Sequence, residues 1–160
     1  MNNESGVTLV RAEFSDCEEI HRMQVKAFSD LLEKYKDHDT NPGAESVEKT
    51  KWRFGFPATA FYFIVAEGVK VGVIRIIDHK DDRLKKISPI FIMKEYRNRG
   101  YAQAAIKEAE RVHGSTGWSL DTILQEAGNC HLYEKLGYRK TGNAKVINDK
   151  MTVISYVKDQ

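Results

Sequence analysis

The chain has 160 residues, 41% hydrophobic and 30% charged, a composition that fits one globular domain spanning residues 1–160 and excludes a disordered chain. Lys and Arg number 25 against 23 Asp and Glu, so a net charge of +2 does not predict a protein that wraps nucleic acid. No apolar run nears the roughly 20 residues that span a bilayer, the N-terminus lacks the basic-then-apolar pattern of a leader, and two cysteines (Cys17 and Cys130) are too few for a disulfide framework. The expectation is a cytoplasmic protein that holds no metal and contacts no membrane.

Val7 to Glu13 alternates apolar and polar residues, as a half-buried strand does. Ser15 followed by Glu18 has capping-box spacing and predicts a helix from there to about Lys36. Its apolar face is Ile20, Met23, Ala27, Phe28, Leu31 and Tyr35. Residues 37–45 are turn formers, and 46–54 read as a short helix. Thr59 to Ala66 is β-branched and aromatic and predicts a strand, with Gly68 turning it into a partner at Val71 to Ile77. Within the aromatic-rich stretch Trp52, Phe54, Phe56 and Phe61, most side chains are expected to pack between helix and sheet. A charged turn, 78–83, leads to a strand at Ile87 to Met93.

The turn 94–100 is basic and contains glycine, and a helix follows over Tyr101 to His113 with Ala102, Ala105, Ile106, Ala109 and Val112 as its apolar face. Trp118 to Leu124 predicts a strand, Gly128 to Leu136 a helix capped by Gly137, and Tyr138 to Gly142 and Val146 to Val157 two closing strands. The order βα(α)βββαβαββ is that of an α/β (α+β) sheet with helices on its faces.

The strand–turn–helix unit at 87–113 carries the most chemistry. A helix N-terminus has unpaired N–H groups and a positive dipole end, which together bind phosphate. Gly100 permits close approach of the backbone, and Arg97 and Arg99 add positive charge. The competing reading is an ordinary turn with solvated arginines. A Rossmann GxGxxG and a Walker loop are both absent.

Arg97-Asn98-Arg99-Gly100-Tyr101-Ala102 resembles the Gln/Arg-x-x-Gly-x-Gly/Ala acetyl-CoA motif of the GNAT superfamily of N-acetyltransferases. Leu132-Tyr133-Glu134-Lys135-Leu136-Gly137-Tyr138 resembles that family's second signature. The resemblance implies a mixed, mostly antiparallel sheet of about seven strands, splayed at the cofactor site and flanked by about four helices. It implies that the amides of Arg97, Asn98, Arg99, Gly100, Tyr101 and Ala102 cradle the CoA diphosphate, that Ile92 and Met93 pair with the pantetheine arm, and that Tyr133 protonates the departing thiolate. The family places an Asn seven residues before that tyrosine. Here Glu126 stands there, and Asn129, one helical turn before Tyr133, is the preferred pantetheine contact.

The function implied is direct transfer of an acetyl group from acetyl-CoA to a primary amine, a small molecule being favoured over a protein N-terminus or lysine. The alternative is a non-catalytic acyl-CoA-binding module of the same fold. The general base stays open among Asp78, His79, Glu126 and water. Cys130 and His131 are adjacent on a helix, point in different directions and do not make a nucleophilic pair. An exposed edge strand leaves a homodimer open.

Overall fold

The computed structural model describes residues 6–159; residues 1–5, part of the segment read for a leader, and residue 160 lie outside it. Among the described residues seven strands and four α-helices follow in the order β1 (Val7–Arg11), α1 (Cys17–Tyr35), α2 (Val47–Phe54), β2 (Thr59–Ala66), β3 (Val69–Ile77), β4 (Lys85–Ile92), α3 (Tyr101–His113), β5 (Trp118–Ile123), α4 (Ala127–Lys135), β6 (Arg139–Asn148) and β7 (Met151–Lys158). They form one sheet in the order β1-β2-β3-β4-β5-β7-β6.

Every neighbouring pair is antiparallel except β4 with β5. That parallel step needs a crossover, and α3 supplies it. The β4–β5 ladder runs only from Lys85↔Trp118 to Ile87↔Leu120. Beyond it the two strands part, and the gap they leave positions the site.

The inner strands read apolar on both faces because both faces are covered. Ala60, Tyr62, Ile64 and Ile74 pack with Ala105, Ile106 and Ala109 of α3 on one side. Phe61, Phe63, Val73, Phe91 and Met93 pack with Ile20 and Ala27 of α1 on the other. Phe54 stacks on Phe61 at 4.5 Å, as the aromatic stretch predicts. Trp52 and Phe56 do not join the core; they are 58% and 44% exposed.

Three local expectations are corrected. Ser15 does not open α1: a 3-10 turn at Phe14–Asp16 intervenes, and the Glu13 N–H donates to the Asp16 carboxylate at 2.8 Å. α3 is rotated so that Ala104 and Glu110 are buried while Val112 is half exposed. Glu110 tolerates burial because Tyr138 and Lys158 both donate to its carboxylate. The last hairpin turns at 149–150, not near 143–145, because β6 runs through Gly142 with an irregular register. The Asn148 carboxamide accepts the Lys150 N–H at 2.9 Å, which fits an Asx-type turn there.

β3 and β4 approach closely at Gly72. A Cβ there would lie 2.1 Å from the Phe91 carbonyl oxygen and 3.1 Å from the Ile92 Cα. We predict that Gly72→Ala costs about 1–3 kcal/mol in urea unfolding, because backbone must move to admit the methyl. An unchanged midpoint would show that β4 has slack at this point.

Candidate functional site

The turn after β4 twists twice through the left-handed region, at Asn98 (φ 64°) and Gly100 (φ 79°). The Ala104 N–H donates to the Gly100 carbonyl at 3.0 Å, the first bond of α3. The N–H groups of Tyr101, Ala102 and Gln103 therefore precede the helical ladder, at its positive end. A Cβ at Gly100 would meet nothing within 4 Å, so the space before the helix is open. Asn98, Gly100, Tyr101, Ala102 and Gln103 line one end of a cleft of about 450 Å³. Gln103 escaped the sequence reading.

The two arginines do different work. Arg97 turns inward: Nε donates to the Ile92 carbonyl at 2.9 Å and Nη2 to the Ala27 carbonyl at 2.7 Å. Its charge ties α1 to the end of β4 and is not a free phosphate ligand. Arg99 stays exposed beside the Tyr96 ring, 5.7 Å from its centroid.

The expected pair at the end of β4 separates as well. The Met93 N–H donates to Val71 of β3, and its side chain is buried beneath α1. Antiparallel pairing alternates, so Ile90 and Ile92 turn their peptide groups the other way, into the gap. Ile90 and Ile92 line the cleft, and Met93 does not.

A second cleft of about 350 Å³ opens on the opposite side of the gap. It is bounded by Ser88 and Pro89 of β4, Asp121 and Ile123 of β5, and Lys145 and Ile147 of β6. The two clefts share Phe28, Leu31, Ile90, Asn129 and Tyr133. Asn129 lies in the first turn of α4 and is exposed to both.

Tyr133 is 7% exposed and forms part of a tyrosine cluster, its ring centroid 6.4 Å from that of Tyr138 and 6.0 Å from that of Tyr156. Tyr138 donates to Glu110, and Tyr156 to Glu134. The Tyr133 hydroxyl makes no hydrogen bond among the described residues. Burial, with Cys130 adding to it, pushes its phenol up to about 12. Tyr133 therefore holds its proton throughout the neutral range with its donor uncommitted.

None of the three side chains considered as a base stands free at the junction. Glu126 accepts hydrogen bonds from Lys34 at 2.7 Å and from the Tyr35 hydroxyl. Burial raises its carboxyl, but these two donors outweigh burial and hold it below the usual range. Asp78 is held by His113 Nδ1 at 2.8 Å, whose Nε2 meets the Tyr62 hydroxyl at 2.8 Å. Asp78 and His79 line another cavity altogether. The carboxylates that do line the second cleft are Asp37 and Asp121. Asp121 was legible, since it alternates with Leu120 and Thr122 on a strand flanking the gap. Asp37 sits in a run of turn formers and carries no such signal.

The donors before α3, the open space at Gly100 and the unpaired edge of β4 fit a long ligand with a diphosphate at one end and amides along its arm. The model of the Acetyltransferase (GNAT) family matches residues 18–138. No curated protein matches the sequence. Among solved structures, the spermidine N-acetyltransferase of Vibrio cholerae in complex with CoA and spermine superposes with a TM-score of 0.74 at 19% identity, over 96% of this chain and 95% of that one. A chimera of the V. cholerae spermidine enzyme with hSSAT gives 0.72 at 19% identity, over 96% and 95%. An acetyltransferase from Thermus thermophilus gives 0.68 at 12% identity, over 94% of each chain. At these identities the likeness is one of fold.

The tie through Glu126 has a pH signature. A carboxyl held low in the folded state stabilises it above its unfolded pKa, near 4.3, and that contribution disappears as pH falls through the folded value. Glu126→Gln is expected to cost about 1 kcal/mol at pH 7 and to flatten the acid limb of a stability-versus-pH curve below about pH 4.5. Parallel acid limbs for the two proteins would contradict it.

Proposed function

The chain belongs to the Acetyltransferase (GNAT) family, and from that premise we propose that it acetylates a small-molecule primary amine in the two joined clefts, with Tyr133 as the acid. Family membership makes the protein an acyltransferase that takes its acetyl group from acetyl-CoA and delivers it to an amine. The observation that carries the residue-level reading is the seam: Tyr133 borders both clefts with an uncommitted hydroxyl.

In this reading the first cleft is the donor side. The amides of Tyr101, Ala102 and Gln103 face the diphosphate, the turn at Asn98 and Gly100 keeps that space open, and Asn129 with the peptide edge of Ile90 and Ile92 holds the pantetheine arm. An N–H of that edge polarises the acetyl carbonyl, an interaction that stabilises developing negative charge. The second cleft is the acceptor side. Its size suits a small amine, and its wall carries two carboxylates: Asp37, which accepts from Thr40, and Asp121, which pairs with Lys86 at 3.1 Å and accepts from Ser155. The spermidine enzymes with which the fold superposes also act on an amine of that kind.

Transfer requires the amine to lose a proton and the sulfur to gain one. With Asp78 and His79 lining another cavity, and Glu126 at the first cleft held by Lys34 and Tyr35, water in the acceptor cleft takes the first proton. Tyr133 gives the second to the leaving sulfur and is reprotonated from the same water. A phenol near 12 gives up its proton reluctantly, so it moves as the thiolate forms and not before.

Substitutions at two positions test this. Tyr133→Phe should lower kcat by about 10²-fold or more while acetyl-CoA still raises the melting temperature, as a lost proton donor predicts. Unchanged turnover removes Tyr133 from the acid role. Gly100→Glu should weaken acetyl-CoA at least about tenfold by placing a carboxylate before the helix N-terminus, whereas Gly100→Asn, which accepts the same backbone angle, should weaken it less. Equal affinities in wild type and Gly100→Glu would move the diphosphate elsewhere.

A further inference from the structure

A third cavity, about 770 Å³, lies on the α1/α2 face between α2, the start of β2 and the end of β3. It shares no lining residue with either transfer cleft. One wall is aromatic. Trp52 and Phe56 meet edge to face at 4.7 Å, both exposed, and the Lys49 ammonium sits 4.9 Å over the indole.

The base of this cavity holds Arg75, 9% exposed. Its Nε donates to the Ser88 carbonyl. Its two Nη groups make no hydrogen bond among the described residues, and no described carboxylate lies within salt-bridge distance of it. A buried charge without a counter-charge is costly and calls for a partner.

Among the described side chains the guanidinium faces the Phe61 ring, 6.0 Å from its centroid, and no acid within pairing distance. Arg53 is held by both Glu45 oxygens, at 2.6 and 2.7 Å, so Glu45 reaches Arg75 only as a longer-range attraction weaker than the repulsion from Arg53. Asp78 on the rim is taken by His113 and by the Lys80 N–H. Burial first, and repulsion from Arg53 second, push the Arg75 guanidinium down to about 10, which leaves it charged at neutral pH. Lys49 and Lys80 add further positive charge at the rim.

We propose that this cavity is a binding site for a small organic anion with a flat apolar body, whose carboxylate or similar group pairs with Arg75 and whose body lies against Trp52 and Phe56. Planar oxyanions suit a guanidinium, which presents its donors as a rigid fork. The flat body gains from the aromatic wall, and the acid that lines the cavity, Asp78, is already held by His113 and the Lys80 N–H. The site is independent of the acetyl-transfer reading.

Titration calorimetry with 2-naphthoate and its uncharged analogue 2-naphthamide tests the proposal. The expected result is saturable 2-naphthoate binding, with 2-naphthamide at least about tenfold weaker and Arg75→Gln weakened by about tenfold or more. Trp52→Ala, at an exposed position, should weaken 2-naphthoate by about threefold or more while the thermal shift with acetyl-CoA is kept, and it decides the matter if Arg75→Gln does not fold. No saturable binding, equal binding of the amide, or variants that bind as wild type would each overturn it. Loss of a dimer in Trp52→Ala, with no naphthoate binding in wild type, would make the patch a contact between two copies of this chain.

Discussion

The short parallel ladder between β4 and β5 is the constraint on which the rest of this molecule depends. Three residue pairs join the strands, and then they diverge. Backbone N–H and C=O groups need partners, and a strand edge inside a domain has lost both its neighbour and free water. The edge at Ile90 and Ile92 therefore stands unpaired by any described strand where it lines the first cleft. The Ile92 carbonyl is already satisfied by Arg97, and the remaining groups face the cleft. The clefts, the helix terminus and Tyr133 are arranged around that gap.

A gap of this kind closes unless something holds it. The C-terminal half of α1 does much of that holding. Arg97 bonds the Ala27 carbonyl, Glu126 takes donors from Lys34 and Tyr35, and Asn148 donates to the Tyr35 carbonyl at 2.9 Å. One helix is thus tied to the turn after β4, to the start of α4 and to the closing hairpin. Hydrogen bonds to charged groups are worth about 1.5–3 kcal/mol each, more than the neutral bonds of a loop. The same ties explain why Glu126 and Arg97 are occupied with structure, although their sequence positions invite a role on the ligand.

Three tyrosines show how the surroundings separate chemistry from support. Tyr133, Tyr138 and Tyr156 are all buried, and burial raises all three phenols. Glu110 and Glu134 engage two of the hydroxyls. The third has no carboxylate and borders both clefts. Its difference from the others lies in its neighbours and not in its residue type.

Much of the architecture was legible because it is encoded locally. β2 and α3 have the ends that alternation, helical spacing and flanking glycines indicate, and the Arg97–Ala102 and Leu132–Tyr138 segments lie within the residues that the family model matches. Where local signals competed, local reading failed: Ser15 looked like a cap, but the Glu13–Asp16 turn came between, and Gly142 looked like a hairpin turn inside what is one irregular strand. Side-chain destinations were not legible at all. Arg97 could face a phosphate or a carbonyl of α1, Glu126 could be a base or a tie, and Trp52 could be core or wall. By itself the sequence determined the order of elements, the basic glycine-containing turn before α3 and the family, since periodicity, turn chemistry and contiguous motifs act over a few residues. Only the tertiary structure decided which donors and carboxylates remain free, because a hydrogen bond such as Arg97 to Ala27 or Glu126 to Tyr35 joins residues far apart in the chain, and no local pattern records it.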